Sequence, residues 1–425
     1  MRPRYLLAAL LVSAALAGSG CGAQERTIEG RTRTQWAALL DSPATPMLER
    51  REAVNGVGLL AQDDPAASVR VLALVRGSDA DEETRRRAVL ALAACGLPAA
   101  RALEAALDDA SPRVVETAAA ALGGWGERAS PAAPKLAALL AAPQSSVAHQ
   151  AALALGHLGP GAVEALAPLV VHSQPSVRVL AVGALAKADP DSARALALLL
   201  SAAKDADWNV RKRALAALAP RASDAQGVRT ALAQALDDPH PFVVATAARG
   251  LGETGPHAAA FLPRLTPLLA HEQGPLRAAA AHALARLGPL ARTALPALEA
   301  ALAQEQGLAA AALWLARWRL SGEALPSARG LAQLVRLGAE APTALEAVEA
   351  LRSMGPAAAD ATQALARALS DRGLRLAAAR ALEAIGPAAR AARPALDALV
   401  HDPNVVVREA ALSALRALGP QEASK

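Results

Sequence analysis

The sequence predicts an all-α fold, an α-solenoid (superhelix) of about twelve two-helix repeats. Three observations predict it. Hydrophobic residues make up 53% of the chain while aromatics supply 2%, so the apolar content is mostly Ala and Leu. Those two lose little side-chain entropy in a helix, and the β-branched and aromatic residues that suit strands are scarce. The 425 residues exceed one ordinary core, which leaves several domains or one extended array. Laid on itself, the chain repeats with a period of about 33 residues, as tandem helical arrays do.

In chain order, residues 1–20 read as an export signal peptide: Arg2 and Arg4 open it, Tyr5 to Ala17 form an apolar run, and small residues follow. The run is too short to span a bilayer. Cleavage has two readings. Ala15-Leu16-Ala17 suits ordinary signal peptidase, whereas Gly18-Ser19-Gly20 before Cys21 resembles a lipoprotein box, with Gly18 where Leu is usual. Residues 21–33 are charged and read as a tether. Residues 34–420 carry the repeats, and 421–425 are a C-terminal tail. Without Arg2 and Arg4 the basic residues fall from 44 to 42 against 39 acidic, a balance that implies no polyanion partner. Beside Cys21 only Cys95 remains, in an Ala-rich stretch where a buried, inert thiol is expected, so no disulfide framework is available.

The last copy is the clearest, running from His401-Asp402-Pro403-Asn404 to Leu418-Gly419-Pro420. With Arg408 as anchor, equivalents fall at Arg50, Arg85, Val115, Ala148, Arg178, Arg211, Val244, Arg277, Leu308, Ala344 and Arg375. Seven residues past the anchor stands Leu92, Leu122, Leu155, Leu185, Leu218, Leu251, Leu284, Leu315, Leu351, Leu382 or Leu415, with Val57 in the first copy. Eleven past it comes Gly96, Gly126, Gly159, Gly255, Gly288, Gly355, Gly386 or Gly419, usually followed by Pro. Glycine reaches the positive φ that ends a helix and proline cannot continue one, so each Gly-Pro is a stop. Pro263, Pro296 and Pro394 lie in the first turn of the helix that restarts. Each repeat is therefore two helices, like Pro394 to Val400 and Val405 to Leu418.

The turn between them carries Asp79, Asp109, Asp205, Asp238 or Asp402, six residues before the anchor. Its carboxylate can accept from unpaired amides at the start of the second helix and can also meet an anchor arginine, a structural role. Ala411, Leu412, Leu415 and Leu418 are expected to form one apolar face, which a single helix pair cannot bury alone, so neighbours must stack. Around Leu308 to Ala344 the spacing stretches and the turn Asp is lost, and the Trp314/Trp318 pair is expected to fill space there, with a bend or binding feature as the alternative. Trp36 and Asp41-Ser42-Pro43 suggest a capping first repeat with a polar outer side.

The Asp-Pro turn, Val-Arg anchor, Ala-Leu ladder and Gly-Pro restart resemble HEAT repeats, especially the short bacterial form also found in phycobilisome lyases. The likeness covers about residues 34 to 420 and speaks to architecture more than to activity. It implies that the second helices line the concave side, so their exposed positions are the candidate surface. One row, one residue past the anchor, holds Arg51, Arg86, His149 and Lys212; another, five past it, holds Arg249, His282, Glu349 and Arg380. These could pair with a polar or acidic partner, or simply keep the face solvated.

No catalytic, cofactor-binding or metal residue is expected. The eight histidines are scattered, no Gly-rich phosphate loop follows a strand, and Cys95 has no histidine near it in sequence. The expected function is a non-catalytic protein-protein interaction scaffold in the bacterial cell envelope. It has no cofactor and no nucleic-acid partner, and meets the membrane only through a lipid at Cys21. A chromophore-lyase-like enzyme and a HEAT-like DNA-binding protein are the alternatives; the balanced charge and the few stacking aromatics weigh against the second.

Overall fold

The computed structural model describes residues 27–42, 44–60, 81–94, 100–305 and 307–419. The export signal 1–20, Cys21, Asp79, Cys95, Gly96, Pro420 and the tail 421–425 lie outside the described residues, as does the tether up to residue 26. The chain forms two compact units, one ending at Leu158 and the other beginning at Gly159. Both are stacks of helical hairpins. The chain is an α-solenoid of HEAT repeats.

In the first unit, Thr27–Ile28 and Arg31–Thr32 pair as a small antiparallel hairpin, inside the stretch expected to be tether. Thr32 then caps the helix Arg33–Asp41 in a capping box. Its Oγ1 accepts from Gln35 N at 3.3 Å, and Thr32 N donates to Gln35 Oε1 at 2.9 Å. Trp36 is buried against Gly56, and Arg31 lies 4.8 Å over its ring, so this end is closed by an aromatic plug with a cationic outer layer. The second helices that follow are Met47–Leu60, Glu82–Ala94, Pro112–Gly124 and Ser145–His157.

In the second unit they are Pro175–Ala188, Trp208–Leu218, Pro241–Gly252, Gly274–Leu287, Ala310–Ser321, Ala344–Met354, Arg375–Ile385 and Val405–Ala417. Most of the first helices are shorter, Arg393–Asp397 for example, while Ala324–Val335 is as long as a second helix. A 3₁₀ segment leads in: Gly255–Phe261, Gly288–Ala294, Gly355–Ala361 and Gly386–Ala392 each occupy the space between the Gly-Pro stop and the next α-turn. The restart therefore begins at the glycine itself, in a tighter spiral than the one α-helix expected. The glycines at the stop all have positive φ where they are described; at Gly386 the pair is φ 70 and ψ −140, a mirror-extended conformation open to glycine and costly for any residue with a Cβ. Pro263, Pro296 and Pro394 sit in the first turn of the following α-helices, where no intrahelical N–H is needed.

The leucine ladder is the core. Leu92, Leu122, Leu155, Leu185, Leu218, Leu251, Leu284, Leu351 and Leu382 are 0% exposed, as is Val57. Two expectations change. Leu412 is 43% exposed although its equivalents Val182, Leu215 and Val348 are fully buried. Leu415 is half-buried where the other regular copies bury their ladder leucine.

In the ninth copy the register shifts. Arg292 Nε donates to the Leu320 carbonyl (3.4 Å) as Arg390 Nε donates to that of Leu418 (3.2 Å), each 28 residues on. Leu320 thus stands where Leu418 does, and the anchor position is Ala310, with Leu308 left half exposed. The ladder position falls on Arg317, whose guanidinium reaches Glu299 at 3.4 Å and Glu323 at 3.0 Å, and Leu315 is only half-buried. Trp314 fills the resulting gap over Gly330, where any Cβ would collide with the indole, and Trp318 is half-buried under Arg319, 4.5 Å from its ring. The two tryptophans pack against the core, as expected of space-fillers.

Candidate functional site

The turns decide which groups face solvent. At four of them the carboxylate accepts from the amide two residues on: Asp109 from Ser111, Asp205 from Asp207, Asp238 from His240 and Asp402 from Asn404, all at 2.8 Å. The same carboxylates meet an anchor arginine, but that of the preceding repeat. Arg85 grips Asp109 (2.8 and 3.0 Å), Arg178 grips Asp205 (2.8 and 2.8 Å) and Arg211 grips Asp238 (2.7 and 2.8 Å), each through Nε and Nη2. Arg375 Nη1 reaches Asp402 at 2.6 Å. The remaining nitrogen of Arg178 and of Arg211 donates to carbonyls of its own turn, His172 and Ser173 in one case, Asp205 and Ala206 in the other. One guanidinium thus ties a turn to its successor.

In the first copy the pairing is by Arg51, with Asp81 at 2.7 Å. Glu305 does the same for Arg277 at 2.6 Å, supplying the acid missing from the irregular copy, and its other oxygen accepts from Gly307 N. Where the preceding anchor is Val244, no guanidinium is available and the next turn carries His271, whose Nδ1 accepts from Gln273 N at 3.1 Å. Burial alone would raise the Asp238 carboxyl, but bonds from Arg211 and His240 N outweigh it and hold the group below the usual carboxylate range. This ladder is structural.

The seven candidate binding residues divide accordingly. Arg51 is committed to Asp81, and Arg86 pairs with Glu83 at 2.8 Å within its own helix. His282 Nε2 lies 3.1 Å from Glu346 Oε1, two second helices further along, and Glu349 pairs with Arg352 at 2.8 Å. His149, Arg249 and Arg380 are exposed and make no side-chain bond among the described residues. A shallow hollow of about 410 Å³ between Pro112–Gly124 and Ser145–His157 is lined by Ala120, Gly123, Gly124, Gln150, Leu153 and His157, and His149 is not among its lining residues. The rows are therefore interrupted by internal pairs, and no single stripe joins all seven.

Lys212 belongs to a different grouping, which the sequence rows missed. Its Nζ lies 5.1 Å from the Trp208 ring centroid, one helical turn back. Trp208 stacks on His240, centroids 3.9 Å apart and planes 3° from parallel, and Phe242 closes the group at 5.9 Å from Trp208 and 5.6 Å from His240. These residues start the second helices of two successive repeats, so the three rings form a ledge along the turn edge. The available signal was positional: in a chain with five Trp and two Phe, the place of Trp208 one repeat later is Pro241, flanked on either side by the rings of His240 and Phe242.

Among the described residues no group of three or more His, Cys, Asp or Glu is placed to hold a metal ion. No helix among them is long and apolar enough to cross a membrane.

Stacked helical hairpins sharing one leucine ladder and one turn ladder define a tandem-repeat α-solenoid. The chain belongs to the HEAT-repeat family. The sequence profile for HEAT repeats matches residues 69–156, 133–219, 196–263 and 229–317, and that for a single HEAT repeat matches 392–421. No curated protein matches the chain. Among solved structures it is similar to yeast importin-beta, Kap95p, at 15% identity and TM-score 0.55, over 91% of this chain and 61% of that one. It is also similar to Kap121p bound to Pho4p, at 14% identity and TM-score 0.52, over 91% and 49%. A third match, the Kap95p structure with RanGDP, has 14% identity and TM-score 0.51, over 91% and 61%. The chain thus spans about half to three-fifths of these proteins, and the likeness is one of fold.

Proposed function

We propose that the chain is a non-catalytic protein-interaction scaffold of the bacterial cell envelope, exported by residues 1–20 and held there through a lipid on Cys21. The single observation that carries the scaffold reading is the set of solvent-facing cations on second helices, Arg249 and Arg380 above all, which are exposed and do no work inside the fold. Long polar side chains without an internal partner, set on a rigid helical frame, are the groups that select a complementary surface. The fold's neighbours point the same way: one is solved bound to Pho4p and another with RanGDP, in both cases a protein ligand. An array of this size can offer well over ~1,000 Å² to a partner, the scale of a specific interface.

The test is affinity capture from envelope extracts in mild detergent, with wild type and with Arg249→Glu/Arg380→Glu in parallel. A partner enriched by wild type and depleted by the double variant is expected; equal enrichment by both, or none by either, overturns the reading. Mass spectrometry of the mature amino terminus checks the location: a diacylglyceryl mass on Cys21 is expected, and an unmodified terminus after Ala17 removes the anchor.

A further inference from the structure

We infer that the ledge of Trp208, His240 and Phe242 is a docking site for an acidic peptide segment of a partner protein, one that presents an aromatic or proline ring between Asp or Glu residues. The inference rests on the scaffold reading and names one place where a partner is held.

The rings come first. Phe242 is 52% exposed, and Trp208 and His240 are half-buried, so the stack is open to solvent rather than sealed in the core. Trp208 Nε1 makes no hydrogen bond among the described residues, and His240 Nδ1 is enclosed without a partner. Exposed aromatic rings with one unused polar edge, that of Trp208, fixed at the starts of two packed helices, are suited to take a further ring at little entropic cost.

Charge then selects the occupant. The acids around the ledge are already engaged: Asp205 by Arg178, Asp238 by Arg211 and Asp237 by Arg264 at 2.6 Å. Asp207 caps its own helix through the amides of Asn209 and Val210. Lys204, four residues before Trp208, has no carboxylate partner among the described residues, and Lys212, four after it, faces only the indole. Asp207 keeps its negative charge, so the groups beside Trp208 in the chain that have no oppositely charged partner, Lys204, Asp207 and Lys212, leave one positive charge in excess, and Lys212 brings it to the indole. A small positive excess matches a short acidic peptide; a nucleic acid strand calls for a longer cationic track.

The probe is a displayed library of random twelve-residue peptides, panned on the whole protein. Phe242→Ala and Lys212→Glu serve as the comparison, both at accessible positions and both checked for unchanged melting. Expected is enrichment of peptides with Asp or Glu flanking Trp, Tyr, Phe or Pro. Synthetic versions should bind at least 10-fold more weakly to either variant and lose affinity as salt rises, and Lys212→Glu should instead enrich peptides with Lys or Arg at the flanks. Failure to enrich such peptides, enrichment that both variants leave unchanged, or stronger retention of a labelled single-stranded oligonucleotide or of anionic vesicles overturns the docking site. Capture of the same envelope partner by wild type and Phe242→Ala would overturn it too while leaving the scaffold reading intact; loss of partner capture with Arg249→Glu/Arg380→Glu is scored separately.

Discussion

Arg178 shows why a charged residue can recur on a helix whose neighbours are Ala and Leu. Its side chain and that of Asp205 are each about 12% exposed, so neither is well solvated, and two parallel bonds between them set the opposite charges against each other. Removing one partner leaves the other buried and unpaired, and Asp205→Ala is expected to cost about 2–3 kcal/mol in urea unfolding. The Arg113–Glu82 pair is the control. Its side chains are 78% and 47% exposed and 3.5 Å apart, so Glu82→Ala should shift stability by no more than about 0.5 kcal/mol. Equal losses from the two substitutions would mean that burial does not set the value of these bridges.

At the scale of the helix, the ladder leucine and the stop glycine do separate work. Leu251 is enclosed by its own hairpin and its neighbours, so Leu251→Ala removes apolar contact and leaves a cavity, at about 2–5 kcal/mol. Leu412 holds a ladder-face position on the final hairpin but is largely open, and Leu412→Ala should cost under about 1 kcal/mol in the same assay. Gly386 ends the helix Arg375–Ile385 at positive φ and hands the chain to Pro387, so Gly386→Ala is expected to lose about 1–3 kcal/mol with helix content otherwise intact, read by circular dichroism and thermal melting. A neutral Gly386→Ala would show that the stop relies on proline alone.

Across the whole molecule, the turn carboxylates make stability depend on acid. At Asp81 burial pulls the carboxyl up, but bonds from Thr84 and Arg51 pull it further down, to about 2; at Glu83 bonds from Arg86 and Arg87 bring it to about 2. Because the folded value lies below the unfolded one, their contribution is complete only above the ordinary carboxylate range, about pH 5, and disappears as pH falls toward 2. Asp238, Glu305 and Asp402 are lowered too and act in the same direction. The melting temperature should therefore be flat near neutrality and drop between about pH 5 and 2, with Asp81→Asn reducing the slope. A protein that melts identically at pH 2.5 and pH 6 would contradict this.

The sequence by itself determined what is local and periodic: two helices per repeat, their stops at Gly288 or Gly386, and the ladder leucine of the regular copies. A helix reports its buried face through spacing, and glycine and proline act on the backbone where they stand. Tertiary structure decided what depends on the neighbour. Only stacking pairs Arg211 with the next repeat's Asp238 and lets Glu305 replace an aspartate three residues off its expected place. It also moved the ninth anchor to Ala310, withdrew Arg51 and Arg86 from the surface row into ion pairs, and brought Trp208 face to face with His240. Contacts between groups some thirty residues apart depend on how each hairpin settles on the last, and packing geometry fixes that where residue spacing cannot.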